Sequence, residues 1–230
     1  MSDHVSRVPA ATAPVVVAID GPAGAGKSTV GRAVARRLGL EYLDTGAMYR
    51  AVTYGALRRG VPVHDDGAVA ELVAALSIEI DHDGVRVDGV DATTAIRGRE
   101  VTESVSAIAA NSAVRAELVA RQRAWVHERG GGVLEGRDIG TVVFPDATAK
   151  LFVTATPRVR AERRVAEMGG DVDEVEAAIV ERDRKDSTRA DSPLVEADGA
   201  IVIDTSEMGI DEVVDRIVAD VQRRSSEGVA

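Results

Sequence analysis

The stretch Val15–Thr29 reads VVVAIDGPAGAGKST and contains a strand signal, a glycine-rich loop and a helix signal, in that order. Val15–Ile19 is a short, continuous apolar run of β-forming residues, which predicts a fully buried strand. Apolar residues then recur at helical spacing through Ser28–Leu38, and Gly39 marks the expected end of that helix. This order favours an α/β fold in which the loop follows a buried strand.

The loop itself fits the pattern G-x-x-x-x-G-K-[ST], which is typical of a phosphate-binding P-loop. Glycines let the backbone fold closely around phosphate oxygens, and the start of the next helix adds N–H groups and positive charge. Lys27 can reach the β- and γ-phosphates, and the Ser28 hydroxyl can ligate Mg²⁺. We therefore expect ATP to be held by Gly21, Pro22, Ala23, Gly24, Ala25, Gly26, Lys27, Ser28 and Thr29.

The composition limits the class of protein. The chain has 230 residues, enough for one core with a small inserted domain, and 45% of them are apolar but only 3% aromatic. The net charge of −10 argues against a general nucleic-acid binder, and the absence of cysteine removes disulfides and thiol chemistry. No run approaches the roughly 18 apolar residues of a membrane span. We expect a cytoplasmic monomer with no nucleic-acid or membrane partner. We also expect residues 1–13 to be a disordered segment that leads into the fold.

Further patterns along the chain predict that strands and helices alternate. Apolar runs predict strands at Tyr42–Leu43, Val133–Glu135, Lys150–Thr154 and Ala200–Asp204. Helical spacing predicts helices at Met48–Arg59, after a cap at Asp65 or Asp66, as one or two helices in Val101–Arg129, and at Pro157–Met168, Val172–Lys185 and Ile210–Arg223. A run of three glycines, Gly130–Gly132, is expected to interrupt the chain before Val133. Such alternation implies a parallel sheet covered on both faces.

One segment departs from this alternation of strands and helices. Ile78–Asp81 and Val85–Asp88 each alternate apolar and polar residues, and Asp83–Gly84 between them is a turn signal. A second turn at Asp88–Gly89 can add a third short strand. This segment predicts a small antiparallel insertion in the α/β pattern.

A P-loop does not indicate which molecule accepts the phosphoryl group. The guanine-reading N-K-x-D of GTPases is absent, and Val202–Asp204 is only a weak candidate for the second acidic motif of ATPase motors. The length suits a small-molecule kinase, whose acceptor anion needs cations of its own. Three arginine-bearing segments offer them, at Asp44–Arg50, Glu135–Pro145 and Glu181–Arg189. Taken singly, each also fits an ordinary helix cap, a solvated loop or a solvated helix face.

Four segments in order resemble the bacterial cytidylate kinase family, whose members transfer phosphate from ATP to CMP or dCMP. The segments are Ile19–Pro22, Asp44–Arg50, Gly136–Asp146, and Glu181–Asp183 with Asp186 and Arg189, and the likeness covers residues 15–224. The resemblance implies a three-layer P-loop NTPase core with a five-stranded parallel sheet, formed by residues 14–45 and 130–224. It also implies a mobile lid at about 157–172 and a nucleoside-monophosphate (NMP) region at 46–129, with an antiparallel β insertion at about 78–95.

The resemblance also implies roles for individual residues. Those expected to hold the CMP phosphate are Thr45, Tyr49, Arg50, Arg137 and Arg189, and those expected to read cytosine are Ser106, Arg115 and Asp138. The ribose would be contacted by Arg182 and Asp186, and transfer assisted by Lys27, Arg137 and the lid residues Arg160, Arg163 and Arg164. The chain has Thr45 where some members have serine, and Ser28 where some have glycine, which makes Ser28 the least secure role in the loop. Other acceptors, such as UMP or shikimate, and a non-catalytic nucleotide-binding regulator remain as alternatives.

Overall fold

The computed structural model describes residues 14–81, 84–206 and 209–227; the expected lead-in at 1–13 and Asp83 of the predicted turn lie outside them. The described residues form the strands β1 (Val15–Asp20), β2 (Tyr42–Asp44), β3 (Ile78–Ile80), β4 (Val85–Val87), β5 (Val90–Asp91), β6 (Gly131–Gly136), β7 (Ala149–Thr154) and β8 (Ile201–Asp204). They form the helices α1 (Lys27–Leu38), α2 (Thr45–Arg58), α3 (Asp66–Ala75), α4 (Arg99–Ala110), α5 (Ser112–Arg129), α6 (Pro157–Met168), α7 (Val172–Thr188) and α8 (Ile210–Glu227). Ala95–Arg97 is a 3-10 helix and Ile139–Val143 a π-helix.

Five strands form one parallel sheet in the order β2-β6-β1-β7-β8. Alternate residues of β1 point to opposite faces, because side chains on a strand alternate. Val17 and Ile19 pack with α1 and α8, whereas Val16 and Ala18 join a second cluster that contains α2 to α5. Ile19 has no exposed surface, and burying a side chain of that size contributes about 2 kcal/mol. The predicted three-layer α/β core with five parallel strands is confirmed.

A second sheet of three antiparallel strands, in the order β3-β4-β5, confirms the predicted insertion. Ile78 of β3 pairs with Val87 of β4, and Val87 pairs in turn with Val90 of β5. Val85 and Val87 are buried in the same cluster as α2, so one face of this small sheet covers α2. The insertion is therefore fixed to the helix that follows β2.

Helix caps explain where the helices start and end. Asp44 accepts a hydrogen bond from the Ala47 N–H at 3.0 Å, and α2 consequently begins at Thr45, three residues before the predicted start. Of the two candidate caps for α3, Asp65 is the one that accepts, from Ala68. Asn111 caps α5, which divides Val101–Arg129 between two helices. Among the described helices, none is both long and apolar enough to cross a membrane.

The predicted break at Gly130–Gly132 is wrong in part. Gly130 does end α5 in a left-handed conformation, but Gly131 and Gly132 are the first residues of β6. A Cβ on Gly131 would lie 2.6 Å from the Val15 carbonyl oxygen, and one on Gly132 would lie 2.4 Å from the Trp125 ring. The two glycines therefore allow close packing inside the sheet layer, which a sequence pattern cannot separate from a chain break.

Candidate active site

The glycine loop joins β1 to α1 and packs tightly against β7. Gly21 has a φ of +143°, and a Cβ there would lie 1.9 Å from the Val153 carbonyl oxygen. Lys27 is buried at the start of α1, where its Nζ donates to the Pro22 carbonyl oxygen at 2.7 Å. Burial, followed by the positive charge of Arg137, lowers the pKa of Lys27 to about 7. A buried ammonium in this situation favours the approach of an anion.

A cavity of about 420 Å³ opens above this loop. The predicted ATP residues that line it are Ala23, Gly24, Gly26, Lys27, Ser28 and Thr29. The remaining three, Gly21, Pro22 and Ala25, are buried in the loop behind it. Three arginines of α6 also line the cavity, Arg160, Arg163 and Arg164. The cavity thus lies at the carboxyl ends of the parallel strands, where α/β sheets bind ligands.

The guanidinium of Arg160 is bound by protein groups on three sides. It donates to the carbonyl oxygens of Ala155 and Ala23 at 2.9 and 3.1 Å. It also pairs with the Asp183 carboxylate at 2.6 Å, and the residue is only 3% exposed. Arg160 therefore connects α6 and α7 to the glycine loop.

Arg163 and Arg164 are more accessible than Arg160. Arg163 donates to the hydroxyl and the carbonyl oxygen of Thr205, at 3.1 and 2.7 Å. Arg164 also faces the cavity, and within residues 14–81, 84–206 and 209–227 it has no hydrogen bond or ion pair. Of the three predicted lid arginines, Arg164 is the one whose donors are open to an incoming anion in this conformation.

A carboxylate lies beside the Ser28 hydroxyl. Ser28 Oγ donates to Glu135 Oε1 at 2.7 Å, and Glu135 is buried near the end of β6. Its Oε2 is buried without a hydrogen bond of ordinary geometry, with the Tyr42 hydroxyl as a close neighbour. Burial, followed by the negative charge of Asp44, raises the pKa of Glu135. A hydroxyl and a carboxylate at this point are hard oxygen donors of the kind that Mg²⁺ prefers.

Glu135, rather than Asp204, lies where an acidic residue could act together with the glycine loop. β6 is hydrogen-bonded directly to β1, whereas β8 lies at the sheet edge with β7 in between, and Asp204 at its end is exposed. Glu135 begins one of the three arginine-bearing segments, but its sequence context predicts no role for it. An acidic residue near the carboxyl end of a fully buried strand was the available signal, because such a charge is costly without a partner.

A second cavity, of about 60 Å³, lies between helices α2, α4 and α5 on one side and the end of α7 on the other. Nine of the ten residues predicted for CMP line it: Thr45, Tyr49, Ser106, Arg115, Arg137, Asp138, Arg182, Asp186 and Arg189. These side chains come from helices α2, α4, α5 and α7, from the segment after β6 and, for Arg189, from the residue that follows α7. Only the fold brings them together, since they are spread over more than half of the chain.

Asp138 is the buried carboxylate of this cavity. Its Oδ2 makes a short ion pair with Arg115, and its Oδ1 lies 3.7 Å from Arg189. Burial raises the pKa of Asp138, and the charge of Arg115 opposes that shift. The Arg115 guanidinium also lies 5.8 Å from the centre of the Tyr49 ring. The cavity therefore presents a carboxylate and an aromatic ring to any ligand that enters it.

A second ion pair lies toward the glycine loop. Arg137 Nε contacts Asp186 Oδ2 at 2.9 Å. Burial alone would raise the pKa of Asp186, but the charges of Arg137 and Arg182 hold it below its ordinary value. Burial, followed by the charge of Arg137, lowers the pKa of Arg182 to about 10. The cations here outnumber the acids, so an anion would relieve their repulsion.

Arg50, the tenth predicted residue, lies next to this cavity and does not line it. Its Nη1 donates to the Ile96 carbonyl oxygen at 3.2 Å and to the Thr102 hydroxyl at 3.0 Å. Thr45 is also engaged, because its hydroxyl donates to the Glu135 carbonyl oxygen at 2.6 Å. Both groups would have to exchange or share these partners to hold a phosphate.

Asp20, at the end of β1, binds the backbone of the segment that follows Arg137 and Asp138. Its two carboxylate oxygens accept from the Ile139 and Gly140 N–H groups at 2.8 and 2.7 Å, where the π-helix begins. Asp138 immediately precedes these residues, so Asp20 determines where Asp138 stands. In the sequence, Asp20 is part of the segment Ile19–Pro22, and no separate role is predicted for it. Its position after a buried strand was a signal that it needed partners.

The Asp20 carboxyl predicts a pH-dependent contribution to stability. Burial raises its pKa from 3.8 to about 6, against the opposing hydrogen bonds from Gly140 and Ile139. The folded state therefore binds more protons than the unfolded state between about pH 4 and 6, and the contribution of Asp20 to stability falls as the pH rises through that window. The amide in the variant Asp20→Asn does not titrate. Urea unfolding should show that Asp20→Asn loses more stability relative to wild type at pH 5 than at pH 7; an equal loss at both would contradict the raised pKa.

The family of the chain follows from comparison with known proteins. The family model described as cytidylate kinase matches residues 17–223. The chain belongs to the cytidylate kinase family. Membership of this kinase family implies ATP as the phosphoryl donor and a nucleotide as the acceptor, and it confirms the resemblance drawn from the four sequence segments.

Relatives in the cytidylate kinase family match over nearly their whole length. The cytidylate kinase of Rhodococcus opacus is 50% identical, with 94% of this chain and 99% of that protein covered. The cytidylate kinase of Mycobacterium leprae is 49% identical, with 92% and 97% covered. Among solved structures, a gluconokinase from Sinorhizobium meliloti aligns with a TM-score of 0.50 at 15% identity, covering 94% of this chain and 95% of that one. At that identity the likeness shows the shared fold alone.

Proposed function

We propose that the chain transfers the γ-phosphoryl group of ATP to CMP or dCMP, giving ADP and CDP or dCDP. The observation that carries this proposal is the pairing of two cation-lined cavities, one above the glycine loop and one around Asp138. Arg137 belongs to the second cavity, yet it is close enough to Lys27 of the first to lower the pKa of that lysine. A donor and an acceptor phosphate would therefore meet between Lys27 and Arg137.

The proposed reaction needs positioning and charge neutralisation rather than a general base. An anionic oxygen of the CMP phosphate attacks the γ-phosphorus, and the bond to the oxygen bridging the β-phosphate breaks. The departing electron pair stays on the β-phosphate of ADP, where Lys27 and the loop N–H groups compensate the charge. Arg137 would hold the acceptor oxygen in line, and Arg163 and Arg164 would contact the phosphoryl group in transfer.

Asp138 is the group we propose to read the base. Cytosine presents an N4 amino donor where uracil presents an acceptor, and a carboxylate accepts only from the former. Arg115 and Ser106 would complete the contacts to the ring, while Arg182 and Asp186 would hold the ribose. The cavity of about 60 Å³ is much smaller than a nucleotide, so its walls would separate as CMP enters.

We also propose that Mg²⁺ accompanies ATP at the Ser28 hydroxyl. Within the described residues, no group of three or more acidic, histidine or cysteine side chains converges on a point, so an all-protein cage is not formed there. Ser28 with Glu135 at 2.7 Å instead fits a cation bound mainly by phosphate and water. When bound, Mg²⁺ would neutralise charge on the β- and γ-phosphates. Ser28 would be its ligand and Glu135 would orient that hydroxyl.

Glu135→Gln tests this arrangement with little change of shape. Loss of the carboxylate should raise the Mg²⁺ concentration for half-maximal activity by about tenfold, while high Mg²⁺ restores most of kcat. Glu41→Gln is the matched control, because Glu41 is exposed and pairs with Arg129. An unchanged Mg²⁺ dependence in Glu135→Gln would remove Glu135 from the cation site.

Residues 46–129 would form the NMP-binding region, residues 14–45 and 130–224 the core, and about 157–172 the lid. The protein would act as a monomer, and ATP and CMP are cytoplasmic metabolites, which favours that compartment. The net charge of −10 disfavours a nucleic-acid partner. Sedimentation of the purified protein at several concentrations would test the monomer.

A panel of acceptors tests the proposed function. ADP release in a coupled assay should be fast with CMP and dCMP, slow with UMP, and absent with shikimate or with no acceptor. Faster turnover of another acceptor would replace CMP in the proposal. ATP binding without turnover on any acceptor would favour a nucleotide-binding regulator instead.

A further inference from the structure

Arg97 is a cation of the ATP cavity that no sequence motif indicated. It is the last residue of the 3-10 helix Ala95–Arg97, which follows the small antiparallel sheet. Its side chain lines the same cavity of about 420 Å³ as Lys27, Ser28 and Arg164. The segment that follows the β insertion thereby adds a guanidinium to the cavity that the α6 arginines also line.

The backbone that carries Arg97 is firmly held. Ile96 beside it is fully buried, and its carbonyl oxygen accepts from Arg50 at 3.2 Å. Arg50 also bonds Thr102 at the start of α4, so one guanidinium joins α2, the 3-10 helix and α4. The position of Arg97 is therefore tied to the arginine proposed for the acceptor phosphate.

The Arg97 side chain itself is lightly held. It pairs with Asp44 Oδ2 at 3.3 Å, and 59% of the side chain is exposed. Asp44 uses its other oxygen, Oδ1, to cap α2. Exposed ion pairs of this kind contribute little, so a phosphate can replace Asp44 as the partner at small cost. Arg97 is thus positioned by its backbone while its guanidinium stays available.

Positive charge is in excess around Arg97, which favours the binding of an anion. Arg50 is close to Arg97, Arg164 and Arg137, and burial followed by these repulsions lowers its pKa to about 10. Asp44 is the acid that opposes them there. Even with Asp186 paired to Arg137, these four guanidiniums outnumber the nearby carboxylates, and their repulsion would be relieved by a highly charged ligand. A phosphoryl group between ATP and CMP has that charge.

We propose that Arg97 is a catalytic residue, whose guanidinium binds the phosphoryl group as it passes from ATP to the acceptor. The inference rests on the proposed function. It assigns the segment after the β insertion a direct part in the chemistry, because that segment brings Arg97 to the cavity that α6 also lines. Contact with the migrating group would stabilise charge that is spread over its oxygens in the transition state.

Arg97→Met tests this inference against a matched neighbour, Arg99→Met. Arg99 is two residues further on, on the exposed face of α4, where it pairs with Glu103 and lines neither nucleotide cavity. We expect Arg97→Met to lower kcat about 100-fold with KM values for ATP and CMP changed little, as for loss of one transition-state contact. Arg97→Lys should recover part of that loss, and Arg99→Met should match wild type.

Binding of a transition-state analogue is a second, independent test of the role of Arg97. Binding of ADP with aluminium fluoride and CMP should weaken strongly in Arg97→Met, while binding of CMP alone stays near wild type. A normal kcat in Arg97→Met, or a loss confined to melting temperature and KM, would overturn the inference by making Arg97 structural. If the wild-type chain does not phosphorylate CMP, the proposed function itself is wrong. If the wild type is active and Arg97→Met is equally active, the proposed function stands and only the inference about Arg97 fails.

Discussion

Arg137→Ala is expected to lower kcat/KM for CMP by about three orders of magnitude, equivalent to about 4 kcal/mol of transition-state stabilisation. Arg137 lines the acceptor cavity and its charge reaches Lys27 in the donor cavity. Its fork can bind two oxygens of a phosphate, which alanine cannot replace. The substitution also removes the partner that now lies 2.9 Å from Asp186, so the charge of that carboxylate is less fully neutralised and would repel the incoming phosphate.

Steady-state kinetics with CMP, together with the melting temperature, would test this result. Arg184→Ala is a suitable control, because Arg184 also lies near the acceptor site in sequence but is exposed on α7 and pairs with Glu181. Arg137→Lys should retain part of the activity, since it keeps the charge and loses the fork. A folded Arg137→Ala protein with wild-type kcat/KM for CMP would place Arg137 outside the reaction.

Asp138→Asn is expected to reduce the preference for CMP over UMP by at least about tenfold. The carboxylate can only accept, which suits the cytosine N4 amino group, whereas an asparagine amide can also donate to uracil O4. The change also weakens the buried pair with Arg115, so some loss of stability is expected as well. The ratio of kcat/KM for CMP to that for UMP, measured on one preparation, does not depend on the fraction folded.

Asp191→Asn provides the matched comparison for Asp138. Asp191 lies 3.7 Å from the same arginine, Arg115, but its side chain is 42% exposed and is not among the residues that line the acceptor cavity. Its substitution should leave the CMP-to-UMP ratio unchanged. If the ratio does not move in Asp138→Asn either, Asp138 does not read the base.

Much of the fold was predictable because local patterns and the global architecture agree. Val15–Ile19 is apolar at every position since both faces of its strand are covered, and the turn signals of the insertion coincide with its antiparallel pairs. The exception is instructive. Gly131 and Gly132 resemble a break in sequence, yet they begin a strand because Val15 and Trp125 approach too closely for a side chain. Such close approaches are tertiary and leave no local signal.

The candidate site was less predictable than the fold. Motif resemblance named nine residues that the structure brings to one cavity, but their roles stay predictions. Helical spacing could not distinguish Arg160, which is bound by Ala155, Ala23 and Asp183, from Arg164, which faces open space. Arg97 belongs to no motif and reaches the loop only through the path of the insertion. Its position depends on long-range packing, which spacing along the chain does not encode.

The central claim is that γ-phosphate leaves ATP for CMP, and ³¹P NMR of a mixture of ATP, CMP, Mg²⁺ and the purified chain tests it most directly. The account predicts that the resonances of CDP and ADP grow together in equal amounts while little inorganic phosphate forms. ADP appearing with inorganic phosphate while CMP stays unchanged would contradict it.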